Sequence, residues 1–138
     1  MDKVKKVLVT GNFNILHPGH LRLLKFAREL GDKLIVGVNG DVIGGDAIHV
    51  PEQMRLDNVS ANIWVDETIL IEESIEIILK KIKPDIVVKG KEYEGSFNEE
   101  QEVVESYGGK LLFSSGEVVF SSIDLISNYI KDDSSILE

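Results

Sequence analysis

Apolar and polar positions along the chain alternate between two periodicities. Lys6 to Thr10 is a short apolar run of strand type, and from His20 to Leu30 apolar residues recur at helical spacing until Gly31 closes the segment. Lys33 to Val38 reads as a second strand. Pro51 to Asn62 reads as a helix with proline at its start, and Trp64 to Ile71 as a third strand. Ser74 is placed to cap a helix over Ile75 to Lys83, which ends against Pro84, and Asp85 to Lys89 is a buried-type strand broken by Gly90. Beyond a polar loop, Glu99 to Tyr107 predicts a helix stopped by Gly108 and Gly109, Lys110 to Phe113 a fifth strand, and Ser121 to Ile130 a last helix.

Strictly alternating strands and helices predict an α/β fold of three layers, with a parallel sheet of about five strands and helices on both faces. In such sheets ligands gather at the carboxyl ends of the strands, so the loops that follow strands are the ones to read for chemistry. The segment Lys131 to Glu138 is mostly polar, which marks residues 1–130 as the folded domain and 131–138 as a polar tail or a linker leading to a second domain.

Composition narrows the choice. The 138 residues, 43% of them hydrophobic, suit one domain with a real core, and the absence of cysteine removes disulfides, thiolate metal sites and thiol nucleophiles. No apolar stretch is long enough for a signal peptide or a membrane span, so the expectation is a cytoplasmic chain without membrane partners. A net charge of −9 with scattered lysines argues against nucleic acid. Small anions remain admissible, because helix N-termini and a few cations set the field of a pocket at short range.

The loop after the first strand is Gly11-Asn12-Phe13-Asn14-Ile15-Leu16-His17-Pro18-Gly19-His20, and it runs into the first helix with two of the three histidines of the chain. A helix start offers backbone N–H groups and a positive dipole end, Gly19 lets a phosphate approach, and His17 and His20 add side-chain donors. Donors held at the oxygens of an α-phosphate and a departing pyrophosphate lower the barrier to nucleotidyl transfer without a protein nucleophile. An acceptor phosphate is already anionic, so no general base is required, and Mg²⁺ carried on the nucleotide shares the charge. A dinucleotide-dependent oxidoreductase is excluded, because phenylalanine and histidine stand where G-x-G-x-x-G would need glycine.

This stretch resembles the HxGH motif of the cytidylyltransferase-like nucleotidyltransferases, whose loop usually reads G-x-F-D-x-x-H-x-G-H. The resemblance runs along nearly the whole chain and is greatest to heptose 1-phosphate adenylyltransferase domains, less to glycerol-3-phosphate cytidylyltransferases. Val38-Asn39-Gly40-Asp41 resembles that family's V-N-S-D, Pro51 with Arg55 its P-x-x-x-R, and Val88-Lys89-Gly90-Lys91-Glu92-Tyr93 its V-K-G-G-D-Y. Phe120-Ser121-Ser122 stands where the family opens its last helix with small hydroxyls. The resemblance implies a Rossmann-like fold in which AMP or CMP passes from ATP or CTP to a sugar phosphate with release of pyrophosphate. It makes His17 and His20 catalytic and assigns the nucleotide to Gly11, Asn12, Phe13, Asn14, Gly19, Lys89, Gly90, Glu92, Ser121 and Ser122. Arg55 is assigned to the acceptor phosphate. It further implies Mg²⁺ with the nucleotide, a homodimer, and a fused or partner sugar kinase. Transfer from CTP to a glycerol-3-phosphate-type acceptor, and a non-catalytic nucleotide-binding or dimerising domain, are the alternatives.

Three departures from the family pattern stand out. Asn14 replaces the usual aspartate, keeping its size and one acceptor while losing the charge, so an Asn14→Asp exchange tests whether the site has been weakened. Glu92 replaces another aspartate and is one methylene longer. The loop from Val42 to Val50 carries none of the lysine that usually meets phosphate there, which bears on the acceptor and leaves the histidine loop untouched.

Overall fold

The computed structural model describes residues 3–114. The final helix expected at Ser121 to Ile130, the residues Ser121 and Ser122, and the tail from Lys131 lie outside the described residues. Within them, five parallel strands form one sheet in the order β3-β2-β1-β4-β5: β1 (Lys6–Gly11), β2 (Lys33–Asn39), β3 (Glu67–Ile71), β4 (Ile86–Gly90) and β5 (Lys110–Ser114). The apolar runs occupy the middle. Leu8 lies opposite Ile35 on one side and Val87 on the other, and Val9 opposite Val36 and Val88, all essentially without exposure.

Helices cover both faces, as the alternation requires. On one face α1 (Pro18–Arg28) and α3 (Glu52–Ser60) bring Leu24, Ala27 and Val59 against Val7, Val9, Val36 and Val88. On the other, α4 (Ile75–Ile82) and α5 (Glu99–Ser106) bring Leu79 and Val104 against Leu8, Ile35 and Val87. Burial on both faces explains why the strands read as unbroken apolar runs instead of alternating ones. The connection leaving β1 enters a helix on the first face and the one leaving β4 a helix on the second. The two neighbouring strands therefore open a crevice at their carboxyl ends.

Element ends differ from the sequence reading in instructive places. α1 begins at Pro18, two residues earlier than its apolar period suggests, because proline fits the first helical position and the His17 imidazole caps the turn. Trp64 lies in a turn before β3, its N–H donating to Asn62 Oδ1, so the strand starts only at Glu67. Ser74 caps α4 as expected, accepting from the Ile77 N–H. A short helix α2 (Asp41–Gly44) and 3₁₀ turns at Gly45–Ala47 and Lys91–Tyr93 have no apolar period that the sequence could reveal. No helix among the described residues is long and apolar enough to cross a membrane.

One side chain ties the end of α5 to the start of β4. The Tyr107 hydroxyl donates to Pro84 O at 2.8 Å, and burial, followed by the Asp85 charge, pushes the phenol up from 10.0 to about 12. The folded chain thus keeps a proton that the unfolded chain releases near its ordinary value, so this contribution is full below pH 10 and is lost as pH rises toward 12. Tyr107→Phe is expected to be less stable at pH 8, with its deficit to wild type narrowing between pH 10 and 12. Urea unfolding followed by circular dichroism measures it.

Candidate active site

The crevice divides into two lobes that share Thr10, Gly11, Leu23, Gly90 and Tyr93. The first, about 410 Å³, is walled by the β1 loop, with Asn12, Phe13, Asn14, His17 and His20. The second, about 440 Å³, lies across the strand ends between Asn39, Glu73 and Ser74 on one side and Lys89, Glu99 and Glu100 on the other.

Local interactions fix the two imidazoles. His17 Nδ1 accepts from the Gly19 N–H at 3.0 Å, and His20 Nδ1 accepts from the His17 N–H at 3.4 Å, a reciprocal capping box built from histidines. The rings stack with centroids 3.8 Å apart, and Phe13 meets His20 edge-on at 5.6 Å. Because each Nδ1 is an acceptor, each neutral ring carries its proton on Nε2, which makes it a hydrogen-bond donor. This changes the origin of the donors. Pro18 has no N–H and that of Gly19 is held by the cap, so the first turn presents anions chiefly with imidazole N–H groups.

Two glycines admit this packing. A methyl group on Gly19 would lie 2.8 Å from His17 Cε1 and 3.1 Å from Nδ1, and one on Gly11 would lie 3.1 Å from the Phe13 ring. Gly19→Ala therefore displaces the His17 ring and breaks the cap. Turnover is expected to fall about tenfold or more, since a small misplacement of a catalytic group is costly, and steady-state kinetics at saturating substrate checks it.

Phe13 has φ 52, a left-handed conformation unusual for a bulky residue. That strain, about 1–3 kcal/mol, is comparable to the gain of about 1.5–3 kcal/mol from burying its ring. The ring lies 6% exposed in the core beneath the loop. Phe13, assigned to the nucleotide by the resemblance, borders the first lobe and packs its ring edge-on against His20.

Arg55 is a correction. The resemblance placed it at an acceptor phosphate, whereas the structure buries it completely. Its Nε donates to Val50 O at 2.6 Å, Nη1 to Asn12 O at 2.8 Å and Asn39 O at 2.6 Å, and Nη2 to Asp41 Oδ1 at 2.7 Å. The planar fork joins the β1 loop, the end of β2, α2 and the entry to α3, so it braces the site instead of facing a ligand. Asn39, which the sequence reading left without a role, adds to this by donating to Asn12 Oδ1 at 2.9 Å. Asn14 binds the backbone of residues 47–50.

Lys89 lies in the second lobe, apart from the histidines. Its Nζ is 3.0 Å from Glu100 Oε2 and 2.7 Å from Asn98 Oδ1, and it sits 4.7 Å from the centre of the Tyr93 ring. Asn98 also donates to Tyr93 O and Ser96 O, which explains why it stands at the start of α5 without capping it. Gly90 borders both lobes, and Glu92 belongs to the 3₁₀ turn between them. Sequence reasoning missed Asn98 and Glu100, because polar residues at a helix start ordinarily read as solvated. Only the fold brings Lys89 against them.

Comparison with known proteins is consistent with this geometry. A family model described as Cytidylyltransferase-like matches residues 8–131. An FAD synthase of Ferroglobus placidus is 37% identical over 94% of this chain and 95% of its own length. The Bifunctional protein HldE of Campylobacter concisus is 39% identical over 67% of this chain, which spans only 21% of that longer protein. Among solved structures, a lipopolysaccharide core biosynthesis protein from Thermoplasma volcanium superposes with a TM-score of 0.69 at 33% identity, covering 80% of this chain and 96% of that one.

Proposed function

The chain belongs to the cytidylyltransferase-like family and is a nucleotidyltransferase, and from that premise we propose that it transfers AMP from ATP to a sugar phosphate and releases pyrophosphate. The observation that carries the reaction is the pair of stacked imidazoles with their Nε2 protons fixed by Nδ1 bonds at the start of α1. An oxygen of the acceptor phosphate attacks the α-phosphorus, the new P–O bond forms as the α–β bridging bond breaks, and the electron pair leaves with pyrophosphate. His17 and His20 donate to oxygens on which that charge develops. The acceptor phosphate is substantially dianionic at neutral pH and supplies its own nucleophile.

Among the described residues no group of three His, Asp or Glu could hold a metal. In the proposed reaction a magnesium ion would arrive on the nucleotide and would neutralise charge on the leaving pyrophosphate. Gly11, Asn12 and the loop backbone border the phosphates in this reading, with Gly90 and Tyr93 at the division between donor and acceptor.

The second lobe supports a hydroxyl-rich acceptor. Glu73, Glu99 and Glu100 supply acceptors for hydroxyl protons, with Asn39 and Ser74 beside them. Lys89, paired with Glu100, orders that wall. A sugar kinase, fused or separate, would make such an acceptor, and the match to one part of a bifunctional relative supports that arrangement. Flavin mononucleotide is a second reading, favoured by the end-to-end match to an FAD synthase, since FAD is that nucleotide joined to AMP.

The test is pyrophosphate release with Mg²⁺, ATP or CTP, and a panel of sugar 1-phosphates, heptose phosphates, glycerol 3-phosphate and flavin mononucleotide. Release with ATP and one sugar phosphate is the expected result. Release with flavin mononucleotide alone would establish the second reading, and release with CTP and glycerol 3-phosphate would overturn both. Nucleotide binding by calorimetry without release from any pair would point to a non-catalytic domain.

A further inference from the structure

We infer that Asn14 is a positioning residue whose carboxamide clasps the segment 47–50 to the catalytic loop, and that a carboxylate cannot replace it. This rests on the proposed nucleotidyl transfer only where activity is the readout. Asn14 Oδ1 accepts from the His49 N–H at 2.8 Å and the Val50 N–H at 3.3 Å, while its Nδ2 donates to Ala47 O at 2.8 Å. The amide orientation follows from these partners, because two are donors and one is an acceptor.

The clasped segment has little else to hold it. Ala47 ends a 3₁₀ turn, residues 48–50 form no helix or strand, and Val50 O is taken by Arg55. Two side chains thus satisfy four backbone groups of this segment. Asn14 reaches it from the histidine loop, three residues before His17, and Arg55 joins the same segment to Asn12 O. A shift of residues 47–50 therefore moves the wall on which the imidazoles are built.

The exchange of aspartate for asparagine acquires a physical meaning here. A carboxylate accepts the two N–H groups equally well, but its second oxygen would face Ala47 O at hydrogen-bond distance with no proton between them. Asparagine supplies the donor there. The residue is thus matched to a loop that approaches with a carbonyl, and the loss of charge is a consequence of that match and not a weakened metal or phosphate ligand.

Two measurements on the full chain test this. In amide hydrogen exchange without ligand, Asn14→Ala should lose protection at His49 and Val50 about tenfold or more while β1 and β2 stay protected, as expected for loss of a clasp of this strength. Unchanged exchange at both would overturn the proposal. In the pyrophosphate-release assay, Asn14→Asp should be about tenfold slower than wild type at pH 8, with the ratio recovering toward pH 5 as the carboxyl gains the proton that Ala47 O requires. Asn14→Ala should show no such recovery.

The titratable and charged groups around residue 14 are His17 and His20 on its own loop, Asp46 and His49 around the clasp, and Arg55 from α3. All are present in wild type and in Asn14→Ala as well, so Asn14→Ala, which adds no carboxyl, is the control for them. Asn14→Asp equal to or faster than wild type at pH 8 would overturn the proposal. If Asn14→Ala loses β1 protection as well, the nearly isosteric Asn14→Asp carries the test alone. If wild type transfers no nucleotide, the exchange measurement still decides the clasp, while the proposed function fails separately.

Discussion

Replacing His17 or His20 by alanine is expected to lower turnover by about 10²–10³-fold, the usual effect of removing a preorganised donor to transition-state charge. The two variants should differ in stability. His17 caps α1, so His17→Ala also loses an N-cap worth about 1 kcal/mol, whereas His20→Ala leaves that cap in place. His17→Asn separates the roles, because asparagine caps well but carries no donor at the depth of Nε2. Its melting temperature should return toward wild type while its turnover stays low. Near wild-type rates in all three variants would sink the mechanism. Loss of rate in proportion to loss of folded protein would reduce the histidines to capping residues.

The second large effect concerns stability. Arg55→Met keeps the length and removes the charge, leaving Asn12 O, Asn39 O and Val50 O without their donor. Three orphaned carbonyls and a broken buried cation should together cost about 3–5 kcal/mol of unfolding free energy, measured by urea denaturation. The ion pair is the smaller part of this. Asp41 is half exposed and regains water when the guanidinium goes, so Asp41→Asn, which keeps the acceptor, should cost below about 1 kcal/mol. Arg55→Lys should rescue poorly, since one ammonium on a flexible stem cannot reach four acceptors in three directions. Wild-type stability in Arg55→Met, with loss of acceptor binding alone, would restore the arginine to the acceptor phosphate.

Much of the fold was legible because its signals are local. Each strand is an apolar run bounded by glycine or polar residues, and Ser74, Pro84 and Gly108 mark helix ends by capping and backbone restriction. The histidine loop was legible for a similar reason: its ten residues are contiguous and lie between a strand and a helix, so spacing and context agree. The short helix and 3₁₀ turns around residues 41–47 and 91–93 escaped, since each is too short to show a period.

Pattern and spacing by themselves determined the alternating α/β order and the covering of both sheet faces, and the resemblance of the loop after β1 to a known motif pointed to the class of reaction. Tertiary structure decided what individual polar side chains do. An arginine on a short helix of weak apolar pattern reads as a surface or ligand-facing cation until three carbonyls from separate segments close around it. An asparagine at an aspartate's position reads as a loss until the segment it clasps, 33 to 36 residues away in sequence, presents both N–H and C=O groups to it. Hydrogen bonds across such separations leave no periodic trace in the sequence, because their partners are backbone groups that any residue type supplies.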